Sequence, residues 1–89
     1  MYLHLGGDVL LHDEEILGIF DLEITSQSYR TRRYLNAAEQ AGEVTYVDIE
    51  EIPKSFTVTA PCGGGPQRVY VSPLASQTLQ RRAESGRLE

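Results

Sequence analysis

The side chains in this sequence that could do chemistry are two histidines, one cysteine, a run of three acids, a triple glycine and eight basic residues. His4 and His12 are candidates for metal ligation or acid–base work. If Gly6-Gly7 makes a two-residue turn, Leu5 faces Asp8, His4 faces Val9 and Met1 faces His12. Alternation then sends the two imidazoles to opposite sheet faces, where they cannot share a ligand; a three-residue turn would remove that geometry. They read as exposed strand histidines. Cys62 has no predictable base beside it and lies in a pliant loop, so it reads as an inert surface thiol. Gly63-Gly64-Gly65 lacks the Lys-Ser/Thr that completes a phosphate loop, and Pro66 removes an amide, so this is a linker. Asp13, Glu14 and Glu15 diverge on an extended chain and form a solvated corner rather than a cation site. No serine, histidine and aspartate fall into a catalytic grouping. The sequence therefore predicts no enzyme, no metal, no cofactor and no small-molecule substrate.

The basic residues remain. Arg30, Arg32 and Arg33 fall at the start of one predicted helix, Arg81 and Arg82 in the middle of another, and Lys54 and Arg68 on predicted strands. Guanidinium groups meet phosphate with a planar fork of donors. Spacing alone favours solvated faces, or ion pairs with acids such as Glu39 and Glu84, because acids nearly balance bases in this part of the chain.

The elements that must carry these side chains follow from periodicity. Arg68-Val-Tyr-Val-Ser-Pro-Leu-Ala-Ser-Gln-Thr-Leu-Gln-Arg-Arg82 reads as a strand running straight into a helix. Val69 and Val71 alternate with Tyr70, Ser72 offers a capping hydroxyl, and Pro73 suits a first helical turn. Leu74, Ala75, Thr78, Leu79 and Ala83 share one helical stripe, with Arg81 and Arg82 pointing elsewhere. Upstream, residues 1–12 read as a hairpin turned at Gly6-Gly7. Ile16 to Leu22 is the most apolar run and is expected to be a central strand buried on much of both faces, with Gly18 marking a bulge or a close approach. Thr25 to Ser28 is rich in caps. Tyr29 to Ala41 is expected to be a helix with Tyr34, Leu35, Ala38 and Ala41 inward and Gly42 as its left-handed stop. Glu43 to Val47 is a predicted strand, and Lys54 to Ala60 a half-buried one, with Phe56 and Val58 alternating against serine and threonine. This order predicts an α+β fold with a mainly antiparallel sheet and two helices in a single domain over 1–87; Leu88-Glu89 reads as a possible cloning scar.

The totals set bounds. Eighty-nine residues make one modest core, so stability can lean on a partner copy. The formal charge of −5 argues against bulk nucleic-acid binding but not against a small basic face. Charge is laid out unevenly: 1–29 hold Asp8, Asp13, Glu14, Glu15, Asp21 and Glu23 and none of the eight bases. One cysteine fits a reducing cytoplasm, the amino terminus does not read as a signal peptide, and no run approaches the ~20 apolar residues of a membrane span.

Three segments carry a resemblance: Tyr2-Leu-His-Leu-Gly6, Ile19-Phe-Asp-Leu22 and Val69-Tyr-Val-Ser-Pro-Leu-Ala-Ser-Gln-Thr-Leu-Gln-Arg-Arg-Ala83. Together they resemble the RemA/RemB family of small bacterial regulators of biofilm matrix, over nearly the whole chain. The resemblance implies a cytoplasmic protein linked to matrix gene expression. From the RemA branch it implies double-stranded DNA bound by a ring-like homo-oligomer whose weak basic contacts add through linkage. Two positions depart from that branch. Glu51-Ile52-Pro53 stands where a basic pair precedes the strand at Lys54, and Glu14-Glu15 where an arginine precedes the early strand. Acids there would repel DNA. The expected DNA contacts are therefore Arg30, Arg32, Arg33, Lys54, Arg81 and Arg82. The alternative is an oligomeric protein-interaction module of the same fold that leaves DNA alone.

Overall fold

Ser55, Phe56, Thr57, Val58 and Thr59 form the strand around which the other elements are layered. The computed structural model describes residues 2–7, 9–25, 27–61 and 63–85. Its elements are β1 (Tyr2–Gly6), β2 (Val9–His12), a 3-10 turn (Asp13–Glu15), β3 (Ile16–Asp21), α1 (Leu22–Thr25), α2 (Tyr29–Gln40), β4 (Val44–Tyr46), β5 (Ser55–Thr59), β6 (Arg68–Ser72) and α3 (Ser76–Ser85). The β1–β2 hairpin is one sheet, and β3-β5-β6-β4 is the other. In the larger sheet β3, β5 and β6 are antiparallel, while β4 runs parallel to β6. The α+β class with a mainly antiparallel sheet is as the sequence predicted.

Each face of the four-stranded sheet has its own core. On one, Phe56, Val69 and Val71 meet Ala38, with Leu35 of α2 and Leu22, Val44 and Val58 around them. On the other, Leu3, Leu5 and Leu11 of the hairpin meet Leu79 of α3, with Ile16, Ile19, Tyr70 and Leu74 alongside. The sheet is thus sandwiched between α2 and a layer made of the hairpin and α3.

That layering exchanges two expected roles. The run Ile16–Leu22 was expected to be central and doubly buried. Its strand is an edge, with Leu17 59% and Phe20 41% exposed. The run Lys54–Ala60 was expected to be half-buried, yet β5 is internal and its polar face is buried as deeply as its apolar one. Two of the three hydroxyls on that face bond carbonyls. Ser55 Oγ donates to Leu74 O at 2.7 Å and Thr59 Oγ1 to Arg68 O at 3.0 Å.

Two local readings also change. The hairpin gains one residue on β1, between His4 and Gly6, so Gly6 pairs with Val9, His4 with Leu10 and Tyr2 with His12. His4 and His12 therefore share the outer face instead of lying on opposite faces. His4 Nε2 donates to Gly7 O at 2.9 Å, and His12 Nδ1 accepts from Glu14 N at 3.4 Å. After β6 the chain does not enter the helix directly. Ser72 Oγ does take the Leu74 amide at 3.1 Å, but Pro73 and Leu74 form a bend and α3 begins at Ser76. The expected bulge at Gly18 is present, and a Cβ there would lie 2.8 Å from the Phe20 ring. Gly42 takes φ +74° and ends α2 as expected. The readings placed on Met1, Asp8, Ser26, Cys62 and residues 86–89 lie outside the described residues.

Candidate nucleic-acid interface

The first two turns of α2 gather three arginines because the helix buries a narrow stripe. Leu35 and Ala38 face the sheet, leaving Arg30, Arg32 and Arg33 exposed. Ser28 caps the helix, its Oγ accepting from Thr31 N at 3.5 Å. No acid stands in that first turn. Cations at a helix N-terminus oppose the helix dipole, which favours anions there. The local sequence therefore gives up some helix stability to concentrate positive charge at the start of α2. Arg32 Nη1 donates to Gln27 O at 3.0 Å, which folds it back over the preceding turn. The Arg33 guanidinium lies 5.7 Å from the centre of the exposed Tyr29 ring, within cation–π range. Arg30 turns toward the β3 edge, where it borders a cleft shared with Tyr34.

The α3 pair is differently placed. This helix covers the opposite face of the sheet, so Arg81 and Arg82 do not join the α2 group within one subunit. Arg81 is exposed. Arg82 was expected to point away from the core but is half-buried, and its Nη1 donates to His4 O at 3.2 Å, fastening α3 to the hairpin. Lys54 precedes β5 rather than lying in it and is exposed; its backbone bonds Leu22 N and Ser72 O. Arg68 Nη1 donates to Thr45 Oγ1 at 3.2 Å, across β6 and β4. The departing acids Glu14 and Glu51 are exposed, as is Ile52.

One tyrosine of α2, Tyr34, and one of β4, Tyr46, have raised pKa values. Partial burial, and then the Glu43 carboxylate, raise the Tyr34 phenol above its ordinary pKa; its hydroxyl donates to Gln67 Oε1 at 3.3 Å. Burial also raises Tyr46, followed by its hydrogen bond to Glu39 Oε2 at 3.2 Å and that carboxylate's charge. The Glu39 carboxylate thus bonds Tyr46, a partner that arginine spacing alone did not reveal.

No family model matches the chain. It is 36% identical over 84 residues to extracellular matrix regulatory protein B of Bacillus subtilis (strain 168), covering 94% of this chain and 91% of that protein. The chain belongs to the extracellular matrix regulatory protein B family.

For a member of this family, the informative residues that sequence reasoning missed are apolar. Leu17, Phe20, Tyr34 and Phe56 line the cleft beside Arg30. Phe20 and Phe56 stack with centroids 5.1 Å apart. The signal was available in the bulge at Gly18, but reading it required knowing that β3 is an edge. Among the described residues no helix is long and apolar enough to cross a membrane.

Proposed function

We propose that this chain regulates extracellular-matrix gene expression from the cytoplasm, as a ring-like homo-oligomer that contacts the backbone of double-stranded DNA through repeated arginines. The observation that carries this reading is that Arg30, Arg32 and Arg33 are exposed together on the N-terminal half of α2, whose first turn contains no acidic residue. Phosphate contacts of this kind position a protein with little base readout. One subunit offers too few for tight binding, so affinity arises from linked copies. No catalytic step, cofactor or small-molecule substrate enters this account.

Anisotropy titration of a labelled duplex tests it. Binding should weaken steeply as salt rises, with a log–log slope set by the number of phosphates neutralised. Arg32→Ala with Arg33→Ala should flatten that slope and lower affinity on all sequences alike. Absence of binding at low salt would sink the DNA reading.

A second reading has a specific observation behind it: Arg81 and Arg82 sit across the sheet from the α2 arginines, and the exposed Glu14 and Glu51 carry the wrong sign for DNA. In this alternative the same assembly is a protein-interaction scaffold. A stable particle that elutes free of nucleic acid and ignores duplex DNA would favour it.

A further inference from the structure

Two separate parts of the subunit carry unlike apolar surfaces. At the β3 edge, Leu17, Phe20, Phe56, Val58 and Tyr34 line an open cleft of about 450 Å³ with Arg30 on its border. Elsewhere, the connection from edge strand β4 to the internal β5 holds Ile49 and Ile52 at 84% and 81% exposure. Asp48, Glu50 and Glu51 flank those isoleucines, all exposed. Asp48 Oδ1 accepts from Glu50 N at 3.0 Å, which fixes the turn that presents them. Isolated exposed apolar side chains are ordinary, but two isoleucines on one fixed turn, with an apolar cleft elsewhere on the same subunit, form a knob and a hole.

From this pairing we infer that the Ile49–Ile52 turn of one copy seats in the Leu17–Phe20–Tyr34 cleft of the next. The inference rests on the proposal that the chain assembles with itself and supplies the contact. Charge selects the arrangement. Cleft against cleft would set Arg30 beside Arg30, and turn against turn would set three carboxylates against three. Turn against cleft brings Asp48, Glu50 and Glu51 to Arg30. Because the two surfaces are different patches of one subunit, the contact is head-to-tail, and each copy keeps one free turn and one free cleft until the chain of subunits closes. Arg30 is then held by the neighbouring turn, leaving Arg32 and Arg33 as the α2 contacts with DNA.

Complementary variants test this. Ile49→Asp with Ile52→Asp removes the knob, and Leu17→Glu spoils the hole. All three positions are exposed, so circular-dichroism melts should match the wild type; if Leu17→Glu melts early, Arg30→Glu takes its place as the cleft variant. By light scattering on a sizing column the wild type should run as a multi-subunit particle and each variant as a monomer. An equimolar mixture of the two variants should form 1:1 heterodimers, because one intact cleft meets one intact turn. Variants that keep the wild-type mass, or a mixture that stays monomeric, overturn the inference while leaving self-assembly standing. A monomeric wild type at high concentration overturns both.

Discussion

Ser72 is fully buried, and its one hydroxyl serves two elements. It donates to Leu5 O at 2.7 Å, tying β6 to the hairpin, and accepts from Leu74 N at 3.1 Å, shaping the bend before α3. Ser72→Ala should cost about 1–3 kcal/mol, because a carbonyl and an amide lose their partner where little water reaches; urea unfolding measures it. The α3 arginines divide at the same scale. Arg82→Ala should lower stability by roughly 1 kcal/mol through loss of the bond to His4 O. Arg81→Ala, on the exposed side, should stay within about 0.5 kcal/mol. Equal effects from the two would contradict the fastening role of Arg82. Adjacent arginines are indistinguishable in sequence; only the position of the hairpin separates them.

At the scale of elements, β5 shows what a central strand with a hydroxyl face requires. Ser55 and Thr59 satisfy their hydroxyls on carbonyls, but Thr57 Oγ1, with its residue 0% exposed, has no hydrogen-bond partner among the described residues. Thr57→Val keeps the shape, removes that unpaired oxygen, and should raise stability by about 1 kcal/mol in the same unfolding assay. The link between β4 and α2 predicts a pH response. Burial, and then the hydrogen bond to Glu39 and its charge, hold Tyr46 neutral, so its folded pKa lies above its unfolded value. Its contribution is therefore fully present below a pH of about 10 and is lost as pH rises through the folded pKa. Thermal melts across that alkaline range should show Tyr46→Phe falling less steeply than the wild type.

At the scale of the whole molecule, the DNA proposal is a statement about linkage. A subunit with a net charge of −5 holds a polyanion only if copies present their α2 arginines together. Disassembling variants that keep every arginine, such as Ile49→Asp with Ile52→Asp, should thus lose roughly 10²-fold or more in affinity for a long duplex. Undiminished binding by a monomer would refute the dependence on assembly. The arginines became candidate contacts only through the family resemblance, whereas the sequence by itself determined α2 and its cap, the left-handed stop at Gly42, an irregularity at Gly18 and the α+β class. Each of these is a local matter of periodicity, capping or φ. It misjudged which strand is central, because apolar content reports a wish for burial and not a place in the sheet: Ile16–Asp21 stands at an edge, while serines and threonines fill the middle. Only the tertiary structure decided that, along with the shared face of His4 and His12 and the separation of the two arginine groups. Strand order, hairpin register and the side on which a helix packs depend on contacts between residues far apart in the chain, and no local pattern encodes them.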